Sequence, residues 1–130
     1  MLIDTSGFFS ILSPLDSFHE HANSIHQSAT HRLIHNYILA ELVPLAQVRG
    51  LPRHLILSTI TDILDDGRFQ FVWVDETLHR KATQLLNARR DKTYSLCDAV
   101  SFILMGERGI REALTTDRHF EQEGFVRLLK

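Results

Sequence analysis

The sequence predicts an α/β protein: a three-layer α/β/α sandwich with a mostly parallel central sheet. Three observations carry that reading. Short apolar or β-branched runs alternate with stretches of helical periodicity along the whole chain. The stretch between one strand and the next is long enough for a helical crossover, which is what parallel strands need. No internal repeat, low-complexity tract or Pro/Gly/Ser-rich linker divides the 130 residues, so residues 1–130 are expected to form a single domain.

Met1 to Asp4 is an apolar run that stops at Thr5-Ser6-Gly7, read as a strand followed by a turn into a helix. Phe18, Ala22, Ile25 and Ala29 recur at helical spacing within the polar segment Ser17–His31, which fits a surface helix. Arg32 to His35 reads as a second short strand, and Asn36 as the N-cap of a helix over Tyr37–Val48. Pro44 lies inside that helix, loses a hydrogen bond there, and predicts a kink. Pro52 suits the first turn of a helix that runs to Leu64 and stops at Asp65-Asp66-Gly67. Phe69–Val74 is the strongest strand signal. Asp75 caps a helix through Ala88, and Ser95 opens one through Met105. Leu114-Thr115 ends a short strand, Asp117 begins a helical turn, and Phe125–Leu129 reads as the last strand.

Fourteen Lys and Arg against sixteen Asp and Glu give a formal charge of −2, which excludes a basic coat that grips nucleic acid by charge alone. An apolar fraction of 44% and a charged fraction of 23% exclude a disordered chain. No apolar run approaches the roughly 20 residues that span a bilayer, and no signal peptide is visible. The single cysteine, Cys97, cannot pair within the chain, so a cytoplasmic protein is expected, with Cys97 as inert packing.

The acids are most informative where no other charge dilutes them. Asp4 is the only charged side chain from Met1 to Leu15, Glu41 the only one from Asn36 to Val48, and Asp98 the only one from Tyr94 to Gly106. An ionised carboxylate in apolar company is costly unless it is paired, hydrogen-bonded or bound to a cation. Each has a local alternative. Asp4 can cap the helix after it, and Ser95-Leu96-Cys97-Asp98 is a capping box that needs no chemistry. Asp117 suits an N-cap in Thr115-Thr116-Asp117. Glu41 has no Lys or Arg three or four residues away. If the acids converge, they make a hard-oxygen cluster suited to Mg²⁺ or Mn²⁺. The eight histidines lack cysteine ligands and read as solvated rather than as a Zn²⁺ site. Arg80, Lys81, Arg89, Arg90 and Lys92 read as a wet helix face, with RNA phosphate contact as the alternative.

Four segments carry a family resemblance: Leu2-Ile3-Asp4-Thr5-Ser6, Asn36-Tyr37-Ile38-Leu39-Ala40-Glu41, Tyr94 to Phe102 around Asp98, and Leu114-Thr115-Thr116-Asp117-Arg118-His119-Phe120 with Gly124-Phe125. In order and spacing they resemble the PIN domain, and within it the VapC-type toxins of toxin–antitoxin pairs. The resemblance covers nearly the whole chain. It implies a PIN-like fold and a metal-dependent endoribonuclease, the toxin of a type II pair, acting with Mg²⁺ or Mn²⁺. It implies Asp4, Glu41, Asp98 and Asp117 as the catalytic, metal-binding acids, with Thr5 and Thr115 as hydroxyls that orient them. It further implies an RNA substrate, a cognate antitoxin and a homodimer. His119 departs from it, standing where many relatives carry a further acid. The competing reading is a catalytically inactive PIN-like module that binds RNA or protein and spends its acids on caps and salt bridges.

Overall fold

The computed structural model describes residues 1–130 and contains five strands and seven helices. The chain runs β1 (Leu2–Ile3), α1 (Thr5–Leu12), α2 (His19–Ser28), β2 (Arg32–His35), α3 (Asn36–Val48), α4 (Arg53–Asp65) and β3 (Phe69–Val72). It continues with α5 (Glu76–Ala88), α6 (Leu96–Arg108), β4 (Glu112–Leu114), α7 (His119–Gln122) and β5 (Val126–Arg127). The strands form one sheet in the order β3-β2-β1-β4-β5, and every pairing is parallel.

That order places the site. The chain builds outward from β1 through β2 to β3, then crosses back to add β4 and β5 on the other side of β1. Right-handed crossovers put the helices of the outward and return paths on opposite faces. Accordingly α1 packs on α2 and α3, and α3 on α4, while α5 packs on α6 and α6 on α7. The strand order reverses between β1 and β4, and parallel sheets bind ligands beyond the carboxyl ends of the strands at such a point. Asp4 directly follows β1 and Thr115 directly follows β4. The strands that flank this point are buried on both faces: Leu2, Ile3, Leu33, Ile34, Ala113 and Leu114 are all at most 1% exposed.

Several boundaries depart from the sequence expectation for local reasons. Thr5-Ser6-Gly7 is not a turn; the helix α1 begins directly at Thr5. Gly7 is needed because α1 lies against the end of β4, where a Cβ would collide with the Leu114 carbonyl group. Asn36 is the first residue of α3 rather than its cap. Its Oδ1 accepts from the Val74 N–H at 2.7 Å, which ties α3 to the chain leaving β3 and ends that strand at Val72. α3 continues through Pro44 to Val48 as one helix. β5 is only Val126–Arg127, because the Leu129 N–H bonds to Thr115 and leaves the ladder. The caps at Asp75 and Ser95 form as expected.

Candidate metal centre

The geometry of β1 and α1 answers the first local alternative. Asp4 is the N-cap residue of α1, yet its side chain caps nothing. It is 5% exposed, and its Oδ2 instead accepts from the Thr115 hydroxyl at 2.9 Å, across the gap to β4. The Ser6 hydroxyl lies 3.1 Å from that of Thr115 and accepts from the Thr116 N–H at 3.0 Å. Thr115 Oγ1 also accepts from the Asp117 N–H at 3.0 Å. The start of α1 and the end of β4 are thereby stitched together by hydroxyls, with Asp4 and Asp117 fixed on either side.

The Ser95–Asp98 capping box is present: Ser95 Oγ accepts from the Asp98 N–H and Asp98 Oδ2 accepts from the Ser95 N–H, both at 3.0 Å. The same Oδ2 faces His119 Nδ1 at 2.9 Å. Capping and site geometry therefore coexist in one carboxylate, and Asp98 remains only 6% exposed. His119 Nδ1 also lies 3.4 Å from Asp117 Oδ2, while its Nε2 is 3.1 Å from the Thr93 hydroxyl. The imidazole is wedged between two carboxylates, in a position a cation would take. Tyr94 packs edge-on against it, with ring centroids 5.2 Å apart.

Asp4, Glu41, Asp98 and Asp117 line one cleft of about 400 Å³, with Thr93, Pro44 and His119 also on its wall. Asp98, Asp117 and His119 each offer a ligand atom, all within 4.8 Å of one another. The side-chain hydrogen bonds of both carboxylates gather on one oxygen: Asp4 Oδ2 accepts from Thr115, and Asp98 Oδ2 accepts from the Ser95 N–H and faces His119. Glu41 differs from expectation: it is not buried but exposed at the cleft mouth.

The electrostatics are those of carboxylates withdrawn from water beside one another. Burial, and after it the Asp98 charge, pushes the Asp4 carboxyl up to about 7. Asp98 is raised by its own burial, against the lowering pull of the Ser95 N–H and His119. Glu41 is raised by partial loss of water and by Asp98. Burial and the Asp4 and Glu41 charges push the Cys97 thiol up, so this 3% exposed cysteine stays a protonated packing group. A donor set of carboxylate oxygens gathered on one cleft wall fits a divalent cation of the Mg²⁺ or Mn²⁺ type.

Two expectations fail. The Thr5 hydroxyl donates to the Ile38 carbonyl at 3.4 Å, away from the acids, and Ser6 takes the role expected of it. A helix that starts immediately after Asp4 turns Ser6 rather than Thr5 toward β4, and that helix start is what the sequence reading missed. Nor are all the histidines solvated. His35 is completely buried, with Nε2 2.9 Å from Ser101 Oγ and Nδ1 unpartnered. Thr93, the partner of His119, was signalled by nothing local.

The sheet order and the cleft at its switch point define a PIN-like α/β protein. Among solved structures the chain is similar to Mycobacterium tuberculosis VapC20, a sarcin-ricin loop cleaving toxin. The TM-score is 0.89 at 25% identity, over 99% of this chain and 98% of that one. No family model matches the sequence, and no curated protein matches it. No helix is long and apolar enough to cross a membrane.

Proposed function

We propose that the chain is a metal-dependent endoribonuclease that hydrolyses RNA phosphodiester bonds, and the toxin of a type II toxin–antitoxin pair. One observation carries the chemistry: Asp4, Glu41, Asp98 and Asp117, from four separate segments, face one cleft at the carboxyl ends of β1 and β4. Four unrelated caps have no reason to meet. The whole-chain similarity to VapC20, which cleaves an RNA loop, supports RNA as the substrate.

Asp4 and Asp98 are the ligands of first choice, with Asp117 and Glu41 beside them on the cleft wall. Thr115 and Ser6 hold Asp4 in place. His119 offers a further ligand in the position where many PIN domains carry an acid, and an imidazole beside carboxylates favours Mn²⁺ over Mg²⁺. When bound, the cation lowers the pKa of its water and stabilises charge on the phosphoryl oxygens. Glu41, raised and exposed at the mouth, is placed to accept the proton of an attacking water. The acids would otherwise repel a phosphodiester, so neutralisation in the cleft is a condition of substrate entry. A cognate antitoxin would cover the cleft with basic side chains, and a homodimer is part of the same reading.

The test is cleavage of an RNA hairpin bearing the sarcin-ricin loop, with Mg²⁺ or Mn²⁺ and with chelator. Products should carry 5′-phosphate and 3′-hydroxyl ends, and Asp4→Asn and Asp98→Asn should remove both cleavage and calorimetric metal binding. Cyclic 2′,3′-phosphate ends, or full activity in both variants, would refute the chemistry. Metal-free binding of RNA without cleavage would establish the inactive module instead, in which His119 permanently bridges Asp98 and Asp117.

A further inference from the structure

An RNA-acting protein of net charge −2 needs cations somewhere, and the basic group Arg80–Lys92 does not supply them. Arg80 is paired with Glu76, Lys81 with Glu107, Arg89 with Glu123 and Lys92 with Asp91, while Arg90 donates to Asn87. Elsewhere Arg32 is held by His26, Arg49 by the Phe9 ring and Arg53 by Gln47. Arg68, Arg127 and Lys130 have carboxylate partners. Of the fourteen Lys and Arg, only Arg108, Arg111 and Arg118 have no carboxylate, polar or aromatic partner.

Arg108 and Arg111 line the same cleft, an open hollow of about 1040 Å³ at the amino-terminal edge of the sheet. They flank the left-handed Gly109 that ends α6, so the turn from α6 to β4 brings both into the hollow. Thr30, His31 and Gln70 add polar side chains, and Glu112 is the only acid on the wall. The hollow is connected through Thr30, His31 and Gln70 to a second depression at Arg68. α6 spans the interval between the two clefts: Asp98 near its start faces the acids and Arg108 at its end faces the hollow. About ten residues separate them, ~15 Å at 1.5 Å per residue. At ~3.4 Å per stacked nucleotide that is four or five nucleotides.

We propose that this hollow is a second nucleic-acid contact, in which Arg108 and Arg111 bind backbone phosphates of the RNA outside the cleaved segment. The assignment rests on the reading of the chain as RNA-directed, but not on its cutting RNA. Uncompensated guanidiniums in a concave, solvent-open site exchange their counter-ions for phosphates at little desolvation cost. The acid cleft selects and cuts; the hollow holds, without reading sequence.

The experiment is fluorescence anisotropy of a labelled 20-nucleotide oligouridylate in EDTA, with the full chain and Arg108→Ala/Arg111→Ala, across a salt series. Both side chains are exposed, so the double variant should keep the wild-type melting curve. The expected result is at least a tenfold loss of affinity, with the log–log salt slope reduced by about 1.4, the value for two single-strand phosphates. On a cleavable hairpin, KM should rise about tenfold at unchanged kcat. If the protein binds but never cuts, the anisotropy comparison still decides the point, and only the nuclease reading falls. Equal affinities and slopes, or no oligouridylate binding by the wild type, would overturn the proposal. Displacement of the oligonucleotide by inorganic phosphate beyond the effect of chloride at equal ionic strength would assign the hollow to free phosphate and overturn it as an RNA contact.

Discussion

His35 should make the fold acid-sensitive in a way that can be isolated. Its ring is completely buried between β2 and α6, with Nε2 on Ser101 and Nδ1 facing no acceptor, and burial lowers its pKa to about 3. Unfolded, it titrates near 6.5. The unfolded chain therefore binds the extra proton between those values, and the stability tied to the neutral ring is complete above pH 6.5 and drains away toward pH 3. At about 1.4 kcal/mol per pH unit the full interval is worth roughly 5 kcal/mol. Asp4 acts with the opposite sign. Raised to about 7, it is protonated in the cation-free fold, and stability falls as pH rises from about 4 to 7. The wild-type curve alone can thus look flat between pH 4.5 and 6.5. The informative quantity is the difference between wild type and His35→Leu in urea denaturation without divalent ions, at half-unit steps from pH 4.5 to 7. Loss of the Ser101 bond offsets the two curves by a constant; the ionisation separates their slopes. The stability advantage of the wild type should shrink by about 1.4 kcal/mol per pH unit below pH 6. Parallel curves over that range would show that the ring protonates without cost in the fold, and the burial argument would be wrong.

Asp4→Asn should remove the opposing slope, so that at pH 8 without cation the variant is more stable than wild type by a few kcal/mol in the same assay. Metal binding to the wild type at pH 7 should release a substantial fraction of a proton from Asp4, read by calorimetry in two buffers of different ionisation heat; equal heats would contradict a raised Asp4. Gly7→Ala forces α1 off the end of β4 and should cost about 1–3 kcal/mol in denaturant unfolding, with the alanine at Gly106, where nothing lies near, as control. Thr115→Ala removes the shorter of two hydroxyl bonds to Asp4 Oδ2 and leaves the Asp117 N–H without its partner, and should destabilise by about 1–3 kcal/mol, whereas Thr115→Ser should not. Arg80→Ala and Lys81→Ala should leave RNA affinity within about twofold, because both charges are already spent on Glu76 and Glu107.

Much of the fold was legible because its signals are local. The β-branched strand at Phe69, the caps at Asp75 and Ser95, and the boundaries of Arg32–His35 depend on neighbours along the chain. Gly7, Asn36 and β5 were not, because each is decided across the sheet: Gly7 by Leu114, Asn36 by Val74, and the shortness of β5 by Thr115. Asp4, Glu41 and Asp98 stood out by their isolation among apolar residues, Asp117 only through the family resemblance, and the structure brings all four to one cleft. What isolation could not tell was which neighbours hold them. Ser6, Thr93 and the bridging position of His119 follow from helix phase and from the approach of segments 21 to 110 residues apart. The Arg80–Lys92 group read as a wet helix face from the chain alone, but only two of its acid partners, Glu76 and Asp91, are neighbours in sequence; Glu107 and Glu123 are brought to it by the fold.

The capping box at Asp98 ties an inheritance to a scaffold. Its carboxylate holds the first turn of α6, the helix that fills the core beneath the cleft, whereas the Asp4 carboxylate secures no helix and burdens the fold with a buried acid. Among descendants released from the need to keep the cleft, drift should therefore erase the first-strand aspartate early and retain the one on α6 long after its other duty has lapsed.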